Sequence, residues 1–232
     1  MDIEDHVKSP MSSYRLGQVE DAIFRSLGAE NARAREVKYR LKRLLAADRG
    51  LGRRSRTESE LERRFAFFPD APPGRGVDIM FSHYAAFALL AAVILLEHGL
   101  PQKTVVTLMR RVRQQLESAH AQCLKKDPKI LFDEGRLRQQ ARPGMIAFSA
   151  TEPVVLIAAG LRDAVGNDQE RIAAAVCQSP EELGVFARQH GGLGRGYSIV
   201  EFTSWIHDFA KNLSRAPARK RGRQSAGSQS AP

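Results

Sequence analysis

Between Ile79 and Leu96 the chain is apolar apart from Ser82 and His83, and such a run has only two homes. It is either a helix enclosed by the rest of a domain or a helix inserted in a membrane. Its length approaches the lower limit for a span. Much of it is Ala, however, which drives insertion far less than Leu or Ile. The expectation is therefore an enclosed helix, with insertion of residues 79–96 as an alternative. Gly99 stops the run, and Pro101 falls at the first turn of the next helix, where its missing donor is not needed. That helix is expected from Gln102 to about Lys125. Val105, Val106, Leu108, Met109, Val112 and Leu116 form its apolar stripe, and Arg110, Arg111 and Arg113 dominate its far side.

Two shorter helices are expected upstream. Leu16, Val19, Ile23, Phe24 and Leu27 lie at helical spacing, and Gly28 closes that segment. After a short turn, residues from about Ala32 to Ala47 place Val37, Leu41, Leu44 and Leu45 on one stripe. Arg33, Arg35, Lys38, Arg40, Lys42 and Arg43 cover most of the remaining circumference. Two helices joined by a tight turn, the second heavily basic, are what a helix-turn-helix looks like in sequence.

From Asp48 to Gly76 the chain is polar, first Arg-rich and then Pro-rich, which is where a wing would sit. Leu61 to Phe68 is expected to hold a short strand or a helix turn. Beyond Asp127 the texture changes. Lys129–Phe132, Met145–Ser149 and Val154–Ala158 are short apolar runs bounded by Pro and Gly, and Tyr197–Thr203 is similar, so all four read as strands. Gln169–Val176 and Pro180–Gln189 read as helices, and Ser204 is expected to cap a last helix, Trp205–Leu213. The fold class expected is mainly α with a smaller α+β part. The division expected is a flexible N-terminus over 1–13, a winged helix-turn-helix-like module over 14–126, an α+β domain with an antiparallel sheet over 127–213, and a disordered basic tail over 214–232. Met11 is a possible alternative start, because recognisable structure begins only at Tyr14.

The formal charge of +10 is the main compositional signal. Part of it lies in the tail, at Arg215, Arg219, Lys220, Arg221 and Arg223, and most of the rest lies between Arg33 and Arg64. Nucleic acid is the commonest partner for this pattern, ahead of an anionic membrane surface. Cys123 and Cys177 have no second Cys or His at metal-ligand spacing, so two free thiols in a reducing cytoplasm are expected. The acidic, polar start of the chain is no signal peptide.

Arg75-Gly-Val-Asp-Ile-Met80, the apolar helix after it, Gly99-Leu-Pro101 and the stretch Val105 to Met109 are similar in order and spacing to one part of the MerR-type regulators. Tyr14-Arg-Leu-Gly-Gln-Val19 resembles the opening of that family's first helix. The resemblance covers about Tyr14 to Arg113 and implies a winged helix-turn-helix that contacts DNA. Two features differ. Val37-Lys-Tyr-Arg-Leu41 stands where the family has an Arg-Tyr-Tyr-like recognition sequence, and Asp78-Ile-Met80 replaces the wing's Arg-x-Tyr. No effector chemistry is carried across.

The DNA-contacting residues expected are Arg33, Arg35, Lys38, Arg40, Lys42 and Arg43 on the second helix, with Arg53, Arg54 and Arg56 following from the loop. Their cations would neutralise phosphates, and Arg is the side chain best suited to read guanine. The Gly-rich stretch His190–Gly196 precedes a strand rather than a helix, so it is not read as a phosphate loop. None of the six histidines belongs to a recognisable ligand pair, and the scattered carboxylates and serines form no catalytic signature. The reading is a DNA-binding transcriptional regulator, not an enzyme, without cofactor or metal, acting as a homodimer. Its C-terminal domain would sense an unknown effector or mediate assembly. The alternative is a protein-interaction or scaffold protein whose basic surface meets acidic partners.

Overall fold

The computed structural model describes residues 13–51, 65–68, 78–141, 143, 146–161, 171–190 and 196–217. Strand β1 (Tyr14–Arg15) leads into α1 (Leu16–Ser26) and α2 (Asn31–Leu51). Strand β2 (Met80–Phe81) precedes α3 (His83–Glu97) and α4 (Gln102–Leu124). Two short helices follow, α5 (Pro128–Leu131) and α6 (Glu134–Gln140). Then come β3 (Val155–Leu161), β4 (Arg171–Cys177), α7 (Pro180–His190), β5 (Tyr197–Glu201) and α8 (Thr203–Ser214). The chain is mainly helical with a small antiparallel part, as its patterning implies.

The apolar run is α3. Ser82 caps it, its hydroxyl accepting the Ala85 N–H at 3.1 Å. At the other end Gly99 takes φ +85, which lets its own N–H reach the Leu96 carbonyl and the Leu100 N–H reach that of Leu95. The same turn closes α1 at Gly28, with φ +58. Every residue from Tyr84 to Leu95 is buried, because α2, α4, α8 and β2 surround the helix. This is why α3 has no polar face. Fifteen residues rise roughly 22 Å, well short of a bilayer core. Among the described residues, no helix is long and apolar enough to cross a membrane.

β1 and β2 pair antiparallel, Tyr14 with Phe81 and Arg15 with Met80, and so bring the start of α1 beside the start of α3. The second sheet has the order β4-β3-β5, all antiparallel. Leu156, Ala158 and Val200 turn one face into the core shared with α3, α4 and α8. Val155, Ile157, Ala159 and Cys177 turn the other face toward Leu183 and Phe186 of α7. The edge of β4 meets α4, where the Val176 N–H donates to Gln115 Oε1 at 3.2 Å. α8 lies along α1, and one apolar cluster runs from Val19 to Ala216, across the position 126/127 where the sequence changes texture.

Several local expectations are corrected. Gln169–Val176 was expected to be helical, but Arg171–Cys177 is a strand paired along its length with β3. Lys129–Phe132 was expected to be a strand. It falls instead on a one-turn helix, where Asp127 caps by accepting the Lys129 N–H and Pro128 occupies the first turn. Ile146–Phe148 is irregular rather than a strand, and Met145 lies outside the described residues. Ser204 does not cap α8; the helix begins at Thr203, with Phe202 at the N-cap position. The expected wing falls mostly on residues 52–64 and 69–77, outside the described residues. Phe65–Phe68 is neither strand nor helix.

Candidate nucleic-acid interface on α2

α2 buries Val37, Leu41, Leu44 and Leu45, and the same face continues into Asp48, which is fully buried. The Asp48 carboxylate accepts the Ala66 N–H at 3.1 Å, the Phe67 N–H at 3.0 Å and Arg110 Nε at 2.7 Å. A second nitrogen of Arg110 donates to the Asp48 carbonyl. Arg113 donates to the carbonyls of Phe65 and Phe68, and the guanidinium of Arg49 lies 5.3 Å from the centre of the Phe68 ring. Buried charge is thereby paired and its hydrogen-bonding capacity filled, the condition under which it is tolerated. These contacts lock α2 to α4 and fix which way its other faces point.

The cations expected to contact DNA fall into two groups. Arg33 and Arg40 lie on the flank beside the end of α3, where both approach Glu97 Oε1, at 2.9 and 3.9 Å; Arg40 also pairs with Glu36. Lys38 lies on the opposite flank and pairs with Glu20 of α1 at 3.1 Å. Arg35, Lys42 and Arg43 face outward and make no ion pair among the described residues. Between them stands Tyr39, 62% exposed, with the Arg43 guanidinium 5.6 Å from its ring centre. Ala46 and Gly50 continue the outward strip with no bulk. Arg53, Arg54 and Arg56 lie outside the described residues.

The outward strip therefore holds three cations around one exposed aromatic ring. Cations of this kind grip phosphate, and the Tyr39 ring gives the Arg43 guanidinium a fixed seat on the outward face. Tyr39 was not singled out from the sequence, although it sits four residues from both Arg35 and Arg43, on the same helix face.

A second cluster was also missed. His83 Nδ1 lies 3.2 Å from His120 Nε2, with Tyr14, Phe87 and Phe209 around the pair. Cys123 Sγ lies 3.5 Å from His207 Nε2. Burial lowers the His120 pKa to about 3, helped by the neighbouring His83 and His207, and burial likewise lowers His83 and His207. Burial pushes the Cys123 thiol up to about 11. The pair is a neutral thiol against a neutral imidazole, not a thiolate primed to attack. His120 and Cys123 continue the apolar stripe of α4, which was the available signal that they face inward.

Among the described residues, no group of three or more His, Cys, Asp or Glu side chains is placed to hold a metal ion. No known protein-family model matches the chain, and no curated protein matches it in sequence.

Proposed function

We propose that this chain binds DNA through the outward face of α2 and acts as a transcriptional regulator. The observation that carries the reading is the triplet Arg35, Lys42 and Arg43, without ion pairs among the described residues, around exposed Tyr39 on a helix held by the Asp48–Arg110 pair. A helix presenting exposed cations and no bulk at Ala46 and Gly50 suits the major groove, which admits one α-helix. The turn at Gly28 and the strand pair β1–β2 fit a helix-turn-helix with an adjoining wing, the architecture that the likeness to MerR-type regulators implies. Arg33, Lys38 and Arg40 then act mainly as ties between helices. A homodimer supplies the paired half-sites from which such modules gain specificity.

The test is fluorescence anisotropy of labelled duplex DNA titrated with the full chain, from low to physiological salt. The triple substitution Arg35→Ala, Lys42→Ala and Arg43→Ala leaves the basic tail untouched, so any loss belongs to α2. Binding that is equal in both proteins across the salt series rejects the interface. An acidic protein partner is the competing occupant of the same strip; tight capture of polyglutamate with no DNA preference would assign the face to it.

A further inference from the structure

The end of α3, β5 and the start of α8 line an open cavity of about 400 Å³ on the surface, away from the outward strip of α2. Ile94, Ile199 and Trp205 form its apolar walls, and Glu97, His98 and Glu201 supply its polar groups. The Glu201 carboxylate is fixed by the Ser149 N–H at 2.9 Å, the Ser149 hydroxyl at 2.8 Å and the Thr203 hydroxyl at 3.2 Å. All three donors are neutral, so they hold the carboxylate in place without cancelling its charge. Among the described residues no cation pairs with Glu201. The second carboxylate, Glu97, is shared with Arg33 and Arg40 at the cavity's other side.

Apolar walls, an indole and a preset carboxylate select one ligand chemistry. An anion is repelled by Glu201. A neutral molecule gains only apolar contact. A cation with an apolar body gains contact with the apolar lining, attraction to the indole of Trp205 and a charge-assisted hydrogen bond to Glu201. The volume lies within the range of about 300–1,000 Å³ found for small-molecule sites. We propose that this cavity binds a small organic ammonium ion with an aromatic or aliphatic body.

Trp205 is the single tryptophan of the chain, so its emission reports on this cavity alone. The full chain is titrated at constant ionic strength with phenethylammonium, and in parallel with 2-phenylethanol and phenylacetate. The expected result is a saturable change in Trp205 emission with the ammonium, binding at least about tenfold tighter than the alcohol, and no response to the anion. Glu201→Gln, with unchanged circular dichroism, should weaken the ammonium by about tenfold and leave the alcohol unaffected. Equal binding of ammonium and alcohol, an absent response, or full affinity in Glu201→Gln each overturns the proposal. If Glu201→Gln does not fold, the three-ligand comparison on the unaltered chain decides. None of these readouts involves DNA, so the outcome is independent of the interface on α2.

Discussion

Arg110 donates from Nε to Oδ1 of Asp48 at 2.7 Å, with both side chains shut off from water. Removing one partner leaves the other charge buried and unpaired. Asp48→Ala should therefore destabilise the fold by about 3–5 kcal/mol, whereas replacing both residues by apolar ones should recover much of the loss. Denaturant unfolding of the single and double variants measures both. A single substitution within experimental error of the parent would show that the pair does not secure α2.

On α2 the two groups of cations should separate in their salt dependence. Each phosphate contact contributes about 0.9 to the slope of log affinity against log salt. The Arg35, Lys42 and Arg43 triple to Ala should flatten that slope by up to roughly three such contributions. The triple at Arg33, Lys38 and Arg40 should change it less and cost some folding stability instead. Titrations of both variants at four salt concentrations check this.

Acid should destabilise the fold earlier than its carboxylates alone would dictate. In the unfolded chain the imidazoles titrate near pH 6.5, while burial keeps His120 neutral in the fold down to about pH 3 and also lowers His83. Below pH 6.5 the unfolded state takes up protons that the folded state refuses, so stability falls as pH falls. For His120 the slope approaches about 1.4 kcal/mol per pH unit below pH 6.5, and His83 adds to it in the same direction. His120→Gln should remove about one of these increments between pH 6.5 and 5. Chemical denaturation across that window supplies the measurement.

Both cysteines should resist alkylation in the native state. Burial raises the thiol pKa of Cys123 to about 11 and also raises that of Cys177, and neither side chain is accessible. At pH 8, iodoacetamide should label the folded chain at least about a hundredfold more slowly than the unfolded chain. Rapid native labelling, read by intact mass, would contradict the burial of these thiols.

The longer helices were legible because their apolar residues recur at helical spacing, and α3 because an uninterrupted apolar run leaves few other solutions. The one-turn α5 and the short α6 carry too few residues for such a pattern. β4 was not legible either. Its Ala173-Ala-Ala175 favours helix locally, yet its pairing with β3 and cover on both faces override that preference. Small residues suit a strand partly covered on both faces, and that cover comes from β3, α4 and α7 rather than from anything in the strand's own pattern. The basic face of α2 was legible too, but its division was not. Glu20 and Glu97, which claim Lys38 and Arg33, come from other helices and meet them only in the fold. His83 and His120, 37 residues apart, and Asp48 and Arg110, 62 apart, escape a local reading for the same reason.

Asp48 has a further consequence for how this chain tolerates change. By holding the backbone of Ala66 and Phe67, it stakes down the connection between α2 and β2 partway along. The same carboxylate also receives Arg110, so one group seats the buried Phe67, α2 and α4 together. Asparagine would keep the shape of Asp48 but present one acceptor oxygen and an N–H group to three donors. Even a near-isosteric exchange at this position therefore disturbs three parts of the fold at once.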